Sequence, residues 1–157
     1  MIWAKARQNP NNQTAKKSAA MEERSAGAVV YRESDNGRMY LLLQNAGRWD
    51  FPKGGVEKGE SELQTVLREV KEETGLTEVN IVHGFRKVIE YFYRRNGKNV
   101  HKQVVYLLAV TDDQSVKISF EHQGYGWFEY REALDKASYD NSKVTLAEAE
   151  KFVRRSS

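Results

Sequence analysis

The chain has 157 residues, with 25 Lys+Arg against 22 Asp+Glu, no cysteine and two prolines. That length can bury a core without a disulfide or structural zinc, and the lack of cysteine excludes thiol nucleophiles, thiol redox chemistry and iron–sulfur clusters. The longest strongly apolar run, Val104 to Val110, is far short of the roughly 20 residues of a membrane-spanning helix.

Residues 1–20 hold Lys5, Arg7, Lys16 and Lys17 and no acid, which leaves 21 basic against 22 acidic residues in 21–157. The segment is rich in Asn and Gln and too poor in apolar residues to offset its ordering entropy. It is expected to be a disordered tail or a dispensable leader before a single domain over 21–157. Its first ten residues lack the apolar core of a secretory signal. The domain itself is near neutral, so neither a nucleic-acid nor a membrane partner is expected.

Ala28 to Tyr31 and Tyr40 to Leu43 flank Ser34-Asp35-Asn36-Gly37, a pattern that predicts a hairpin with a four-residue loop. From Arg48 to Glu60, Pro52, Gly54, Gly55 and Gly59 predict loop. A helix over 62–74 follows, with Ser61 as N-cap, Gln64 at the capping-box position and Gly75 as its stop. Strands are expected near 78–82, 86–93 and 103–110, with a turn at Arg95-Asn96-Gly97-Lys98. A strand around 126–128 then leads into a short helix from Tyr130. A last helix, capped by Thr145 with Glu148 three on, should turn Leu146, Ala149 and Val153 inward. Strands and helices mixed in this way indicate an α+β fold.

The helix over 62–74 is the informative one. Leu63, Val66, Leu67 and Val70 follow i, i+3, i+4, i+7 and predict one buried stripe. Glu69, Glu72 and Glu73 gather three carboxylates within about a turn, where like charges repel. A solvated acidic face is the ordinary explanation of such a cluster. The other is a hard divalent cation, Mg²⁺ or Mn²⁺, which takes oxygen ligands and removes the repulsion. Gly54 to Glu60 leads straight into this helix as a glycine-rich turn that can bring backbone close to a phosphate or metal. Lys53 adds a cation at its entrance, and phosphate beside metal suggests phosphoryl chemistry.

Residues 54–76 resemble the Nudix box, G-x5-E-x7-R-E-U-x-E-E-x-G-U with U aliphatic, at every fixed position: Gly54, Glu60, Arg68, Glu69, Val70, Glu72, Glu73, Gly75 and Leu76. At average composition a chance match has a probability on the order of 10⁻⁷. The resemblance implies an α/β/α sandwich with a mixed β-sheet and metal-dependent hydrolysis of a nucleoside diphosphate linked to another moiety. It implies a metal shell of Gly54, Glu69, Glu72 and Glu73, with Arg68 orienting a box glutamate and Glu60 supporting the cluster. Glu69 and then Glu121 are the candidate general bases.

The flanks address the substrate. Trp49 to Glu60 resembles asymmetrically cleaving diadenosine tetraphosphate hydrolases, and equally RNA 5′-pyrophosphohydrolases and diphosphoinositol-polyphosphate phosphohydrolases. Gly84-Phe85-Arg86-Lys87 followed by Tyr91, Lys102 to Tyr106, and Glu121-His122-Gln123-Gly124-Tyr125-Gly126-Trp127 resemble the tetraphosphate hydrolases specifically. By that resemblance Tyr91 and Tyr125 would stack on an adenine ring and Lys53 and Lys102 would contact phosphates. Diadenosine tetraphosphate would give ATP and AMP, small nucleotides handled in the cytoplasm. Gly55 stands where many of those enzymes have His, and Gly-Gly is common in the RNA and inositol relatives. Tyr91 and Lys102 also admit purely structural roles, Trp127 reads as core and His122 as a hydrogen-bonded structural histidine. A non-catalytic nucleotide sensor is disfavoured because every box carboxylate is present.

Overall fold

A computed structural model describes residues 20–156; the expected tail, save Ala20, lies outside the described residues. Eight strands and three helices follow in order: β1 (Met21–Ser34), β2 (Gly37–Asn45), β3 (Arg48–Asp50), β4 (Lys53–Gly55), α1 (Glu62–Thr74), β5 (Val79–Ile81), β6 (Lys87–Arg95), β7 (Lys98–Thr111), β8 (Gly124–Glu129), α2 (Tyr130–Lys136) and α3 (Asp140–Ser156). No helix among the described residues is long and apolar enough to cross a membrane.

The sheet is mixed. Its central path runs β3-β2-β1-β7-β5, with β4 on β1, β6 on β7 and β8 on β2. β1 and β7 are parallel from Met21↔Val100 to Tyr31↔Val110, while the other strand pairs are antiparallel. A parallel pair needs both faces covered, and alternate side chains of these strands feed two cores. Val29, Leu42, Val104, Tyr106 and Leu108 pack against Leu146, Ala149 and Val153 of α3. Ala28, Val30, Leu41, Val105 and Ala109 pack against Val66 and Val70 of α1. The result is the three-layer α/β/α arrangement that the motif implied.

Four local expectations change. β1 runs on to Ser34 and β2 starts at Gly37, so the hairpin closes around Asp35 and Asn36 alone. The Ser34 hydroxyl accepts from the Asn36 N–H and donates to the Gly37 carbonyl. Within 48–60, two three-residue strands form because β3 finds a partner in β2 and β4 in β1. The last helix starts at Asp140, so Thr145 is not a cap. It sits one turn inside, fully buried, with its hydroxyl donating to the Asn141 carbonyl.

The fourth concerns α1. Its ends are as expected: Ser61 and Gln64 form the reciprocal capping box, and Gly75 takes the left-handed conformation, φ 75°, with its N–H on the Lys71 carbonyl. Its inward face is rotated, however. Val66 and Val70 are buried with Thr65, Glu69 and Thr74, whereas Leu63 and Leu67 remain 46% and 39% exposed. Thr65 and Glu69 can be buried because their oxygens are hydrogen-bonded, to Glu60 and Arg68 respectively. Val70→Ala should therefore destabilise the protein by about 2 kcal/mol and Leu63→Ala by less than about 1 kcal/mol in denaturant unfolding; the reverse order would contradict this rotation.

Candidate active site

At the end of the sheet where β4 meets α1, the box residues form one network around Arg68. Its guanidinium donates through Nε to Glu60 Oε2 (2.6 Å) and through Nη2 to Glu60 Oε1 (2.9 Å) and the Gly55 carbonyl (2.9 Å). Nη1 reaches Glu69 Oε2 at 2.7 Å and Glu72 Oε1 at 3.3 Å. Arg68 thus pairs with Glu69, while its two-point partner is Glu60. Arg68 holds the Glu60 carboxyl down at about 2, helped by the Glu57 N–H.

Glu69 lies under β4 so closely that a Cβ on Gly54 would overlap its carboxylate. Only glycine leaves that space, which is the physical content of the first box position. Burial raises the Glu69 carboxyl above its ordinary value, against the lowering influence of Arg68. Glu73, one turn on, accepts from the Lys53 N–H at 3.2 Å. It is pushed up to about 8, first by burial and then by the charge of Glu69, with Glu121 adding to it. Two buried carboxylates placed in this way share a proton or need a cation.

Glu72 does not join them. Its side chain is 57% exposed, against 11% for Glu69 and 12% for Glu73, and Arg68 stands between it and Glu69. No three Asp, Glu, His or Cys side chains among the described residues converge tightly enough to hold an ion unaided. The donors present, carboxylates beside a peptide-lined strand with no sulfur, fit a hard divalent cation.

Two adjoining cavities open here. The first, about 600 Å³, has Glu73, Glu121, His122 and Arg48 among its lining. The second, about 400 Å³, is more apolar and has Tyr91, Ile89, Val104 and Tyr106. Asp50, Lys53 and Tyr139 line both and join them into one groove. Lys53 Nζ lies 3.6 Å from Asp50. Lys102 pairs with Glu23 at 3.5 Å and sits opposite Tyr91 in the β6–β7 register. Burial, and then the positive charges of Lys53 and Arg95, lower its ammonium from the ordinary value. His122 bears out the structural expectation: Ser119 Oγ lies 3.2 Å from Nδ1, and Nε2 lies 3.9 Å from Glu73. Burial lowers its pKa from the ordinary imidazole value, against the opposing charge of Glu121.

Tyr125 lines neither cavity. It pairs in register with Leu43, and its strand neighbour Trp127 packs against the α1-side core. Besides the fully buried Tyr106, the aromatic ring that shares a cavity with Tyr91 is Tyr139, which no motif in the sequence singles out. Tyr139 precedes α3, and its carbonyl accepts the first two helical N–H bonds, from Ser142 and Lys143. The segment is tied to β3 by Ser138 N–H to the Trp49 carbonyl, Trp49 N–H to Ser138 Oγ, and Ser142 Oγ to Asp50. A tyrosine just before a helix carries no local signal of such a role; only the docking of 137–142 onto β3 brings it to the groove.

An α/β/α sandwich carrying a complete box of this kind defines a class of phosphoanhydride-cleaving proteins. A sequence profile of the NUDIX domain matches residues 21–148, and the chain belongs to the Nudix family. It is 36% identical over 146 residues to the asymmetrical bis(5′-nucleosyl)-tetraphosphatase of Mus musculus, covering 85% of this chain and 97% of the relative. It is 37% identical over 145 residues to the same-named protein of Sus scrofa, covering 85% and 97%. Among solved structures it superposes on a C. elegans Ap4A hydrolase binary complex with a TM-score of 0.75 at 33% identity, covering 85% of this chain and 98% of that one.

Two outcomes follow from the carboxylate pair. Glu73 holds its proton more tightly when folded than its ordinary value of 4.5, so the associated stability is full below about pH 4.5 and is lost as pH rises toward 8. In chelator, the melting temperature should fall across that window, and Glu73→Gln should flatten the fall. Gly54→Ala should displace the Glu69 carboxylate and weaken Mg²⁺ binding, measured by calorimetry, with far-ultraviolet dichroism unchanged.

Proposed function

We propose that this protein hydrolyses dinucleoside tetraphosphates asymmetrically, diadenosine tetraphosphate giving ATP and AMP, with Mg²⁺ or Mn²⁺ as cofactor. The observation that carries the reading is the joining of the two cavities. An apolar space flanked by Tyr91 and Tyr139 runs past Lys53 to Glu73, whose charge is coupled to that of Glu69 behind it. The names of the similar mouse, pig and C. elegans proteins support the same substrate class.

In this reading one adenine lies against Tyr91 and Tyr139, where stacking contributes roughly 1–3 kcal/mol with little base selectivity. Tyr139 replaces the Tyr125 expected from the sequence. Lys53 and Lys102 contact the phosphate chain as point charges and thereby fix which phosphorus reaches the carboxylates. Glu69 and Glu73, with the Gly54 carbonyl, would hold a divalent cation that neutralises phosphate oxygens and acidifies water, and Glu72 would join them only by leaving its contact with Arg68. Arg68 keeps Glu69 in place, its own charge engaged by Glu60, Glu69 and Glu72.

Of the two candidate bases, Glu69 is already engaged by Arg68, whereas the Glu121 carboxylate faces the groove with no hydrogen bond or ion pair among the described residues. Glu121 is therefore assigned the proton of the attacking water. Water adds to phosphorus, the bridging P–O bond breaks, and its electron pair leaves on the departing phosphate.

The test is incubation with diadenosine tetraphosphate in ¹⁸O-labelled water. Equal ATP and AMP are expected with Mg²⁺ and none with chelator, the labelled product identifying the phosphorus attacked; two ADP, or metal-independent turnover, would overturn the assignment. Glu73→Gln should lower kcat by about 100-fold or more. Tyr139→Ala should raise KM about tenfold with kcat little changed, while Tyr125→Ala should stay within about twofold of wild type.

A further inference from the structure

The groove has more room and more chemistry than one nucleotide and a phosphate chain require. Besides Glu73 and Glu121 the 600 Å³ cavity has a rim of Arg48 with Asn45 and Ala46 at the β2–β3 turn. That rim is fixed. The Ala46 N–H donates to Gln123 Oε1 at 2.6 Å, and the Gln123 N–H donates to the Gln44 carbonyl at 2.8 Å, which ties the turn to the segment bearing Glu121 and His122.

Arg48 is the unusual group there. The other cation lining the two cavities, Lys53, is paired with Asp50, whereas Arg48 makes no ion pair among the described residues. Its guanidinium carbon lies 5.7 Å from the centre of the Tyr139 ring, and Nη1 lies 3.4 Å from the Tyr139 hydroxyl. A guanidinium held over one aromatic ring in this way keeps a second face and several N–H donors available. Flat guanidinium planes stack on nucleobases and hydrogen-bond their edges.

We infer that Arg48 forms, with the rim of the polar cavity, a second nucleoside subsite that receives the half of a dinucleotide lying beyond the cleaved bond. The inference rests on the proposed dinucleotide reading and deepens it. Tyr139 then stands between the two halves, one nucleoside on the Tyr91 side and the other against Arg48. The apolar cavity selects for a base of any kind; the Arg48 subsite selects for the presence of a second nucleoside. It makes the protein prefer a dinucleoside polyphosphate over a mononucleoside polyphosphate of the same chain length.

The experiment compares KM for diadenosine tetraphosphate and for adenosine 5′-tetraphosphate, which has the same four phosphates and one nucleoside. Arg48→Ala should raise KM about tenfold for the dinucleotide and leave that for the mononucleotide within about twofold. Arg48→Lys should not rescue, because an ammonium has no planar face to stack. Unchanged KM for both substrates would remove Arg48 from binding. Equal increases for both would show that it only props Tyr139, and rescue by lysine would show a phosphate contact; either overturns the subsite. Failure of the wild-type protein to cleave the dinucleotide would instead overturn the functional reading, and the subsite with it.

Discussion

Two carboxylates largely withdrawn from solvent on one helix, Glu69 and Glu73, impose the constraint around which this end of the molecule is organised. Burying like charges side by side is unfavourable unless a proton, a cation or a hydrogen-bonded partner compensates. Arg68 supplies part of that compensation, and its own position depends on the two-point contact with Glu60. The Lys53 N–H supplies another part. The remaining deficit is visible in Glu73, pushed up to about 8, and a divalent ion beside the pair would relieve it.

This constraint reaches into the fold. To bring Glu69 against Gly54 and Glu73 to the groove, α1 is rolled so that Leu63 and Leu67 face solvent. The exposed leucines are an energetic concession to the site, tolerated because Val66 and Val70 still close the core on that side of the sheet. On the other side, α3 anchors the segment before it onto β3, and Tyr139 comes with it. Each helix layer therefore contributes to the groove, α1 the carboxylates and the start of α3 an aromatic wall. The mixed sheet holds the two in register through β1 and β7.

Charge is distributed unevenly along the groove. Lys53 and Lys102 each have a carboxylate neighbour, so phosphates would exchange one anionic partner for another instead of meeting bare cations. Arg48 has none among the described residues and is held by Tyr139. On the proposed reading, that difference separates groups suited to the phosphate chain from one suited to a planar, weakly charged nucleoside.

The amino-acid sequence by itself determined what depends on near neighbours in the chain. The capping box of Ser61 and Gln64, the Gly75 stop, the Asn96-Gly97 turn and the spacing of Gly54, Arg68, Glu69 and Glu73 are local patterns, and each appears in the structure as expected. The α+β class followed from the same periodicities. Tertiary structure decided the rest, because it depends on contacts between distant segments. The roll of α1 is set by Gly54 and Glu60 pressing on Glu69 and Arg68, which an apolar stripe of Leu63, Val66, Leu67 and Val70 could not report. Thr145 reads as a cap until the helix is seen to begin at Asp140. Tyr125 and Tyr139 make the point most clearly: both are half-exposed tyrosines, and only the pairing of 137–142 with β3 lets Tyr139, and not Tyr125, line the cavity that holds Tyr91.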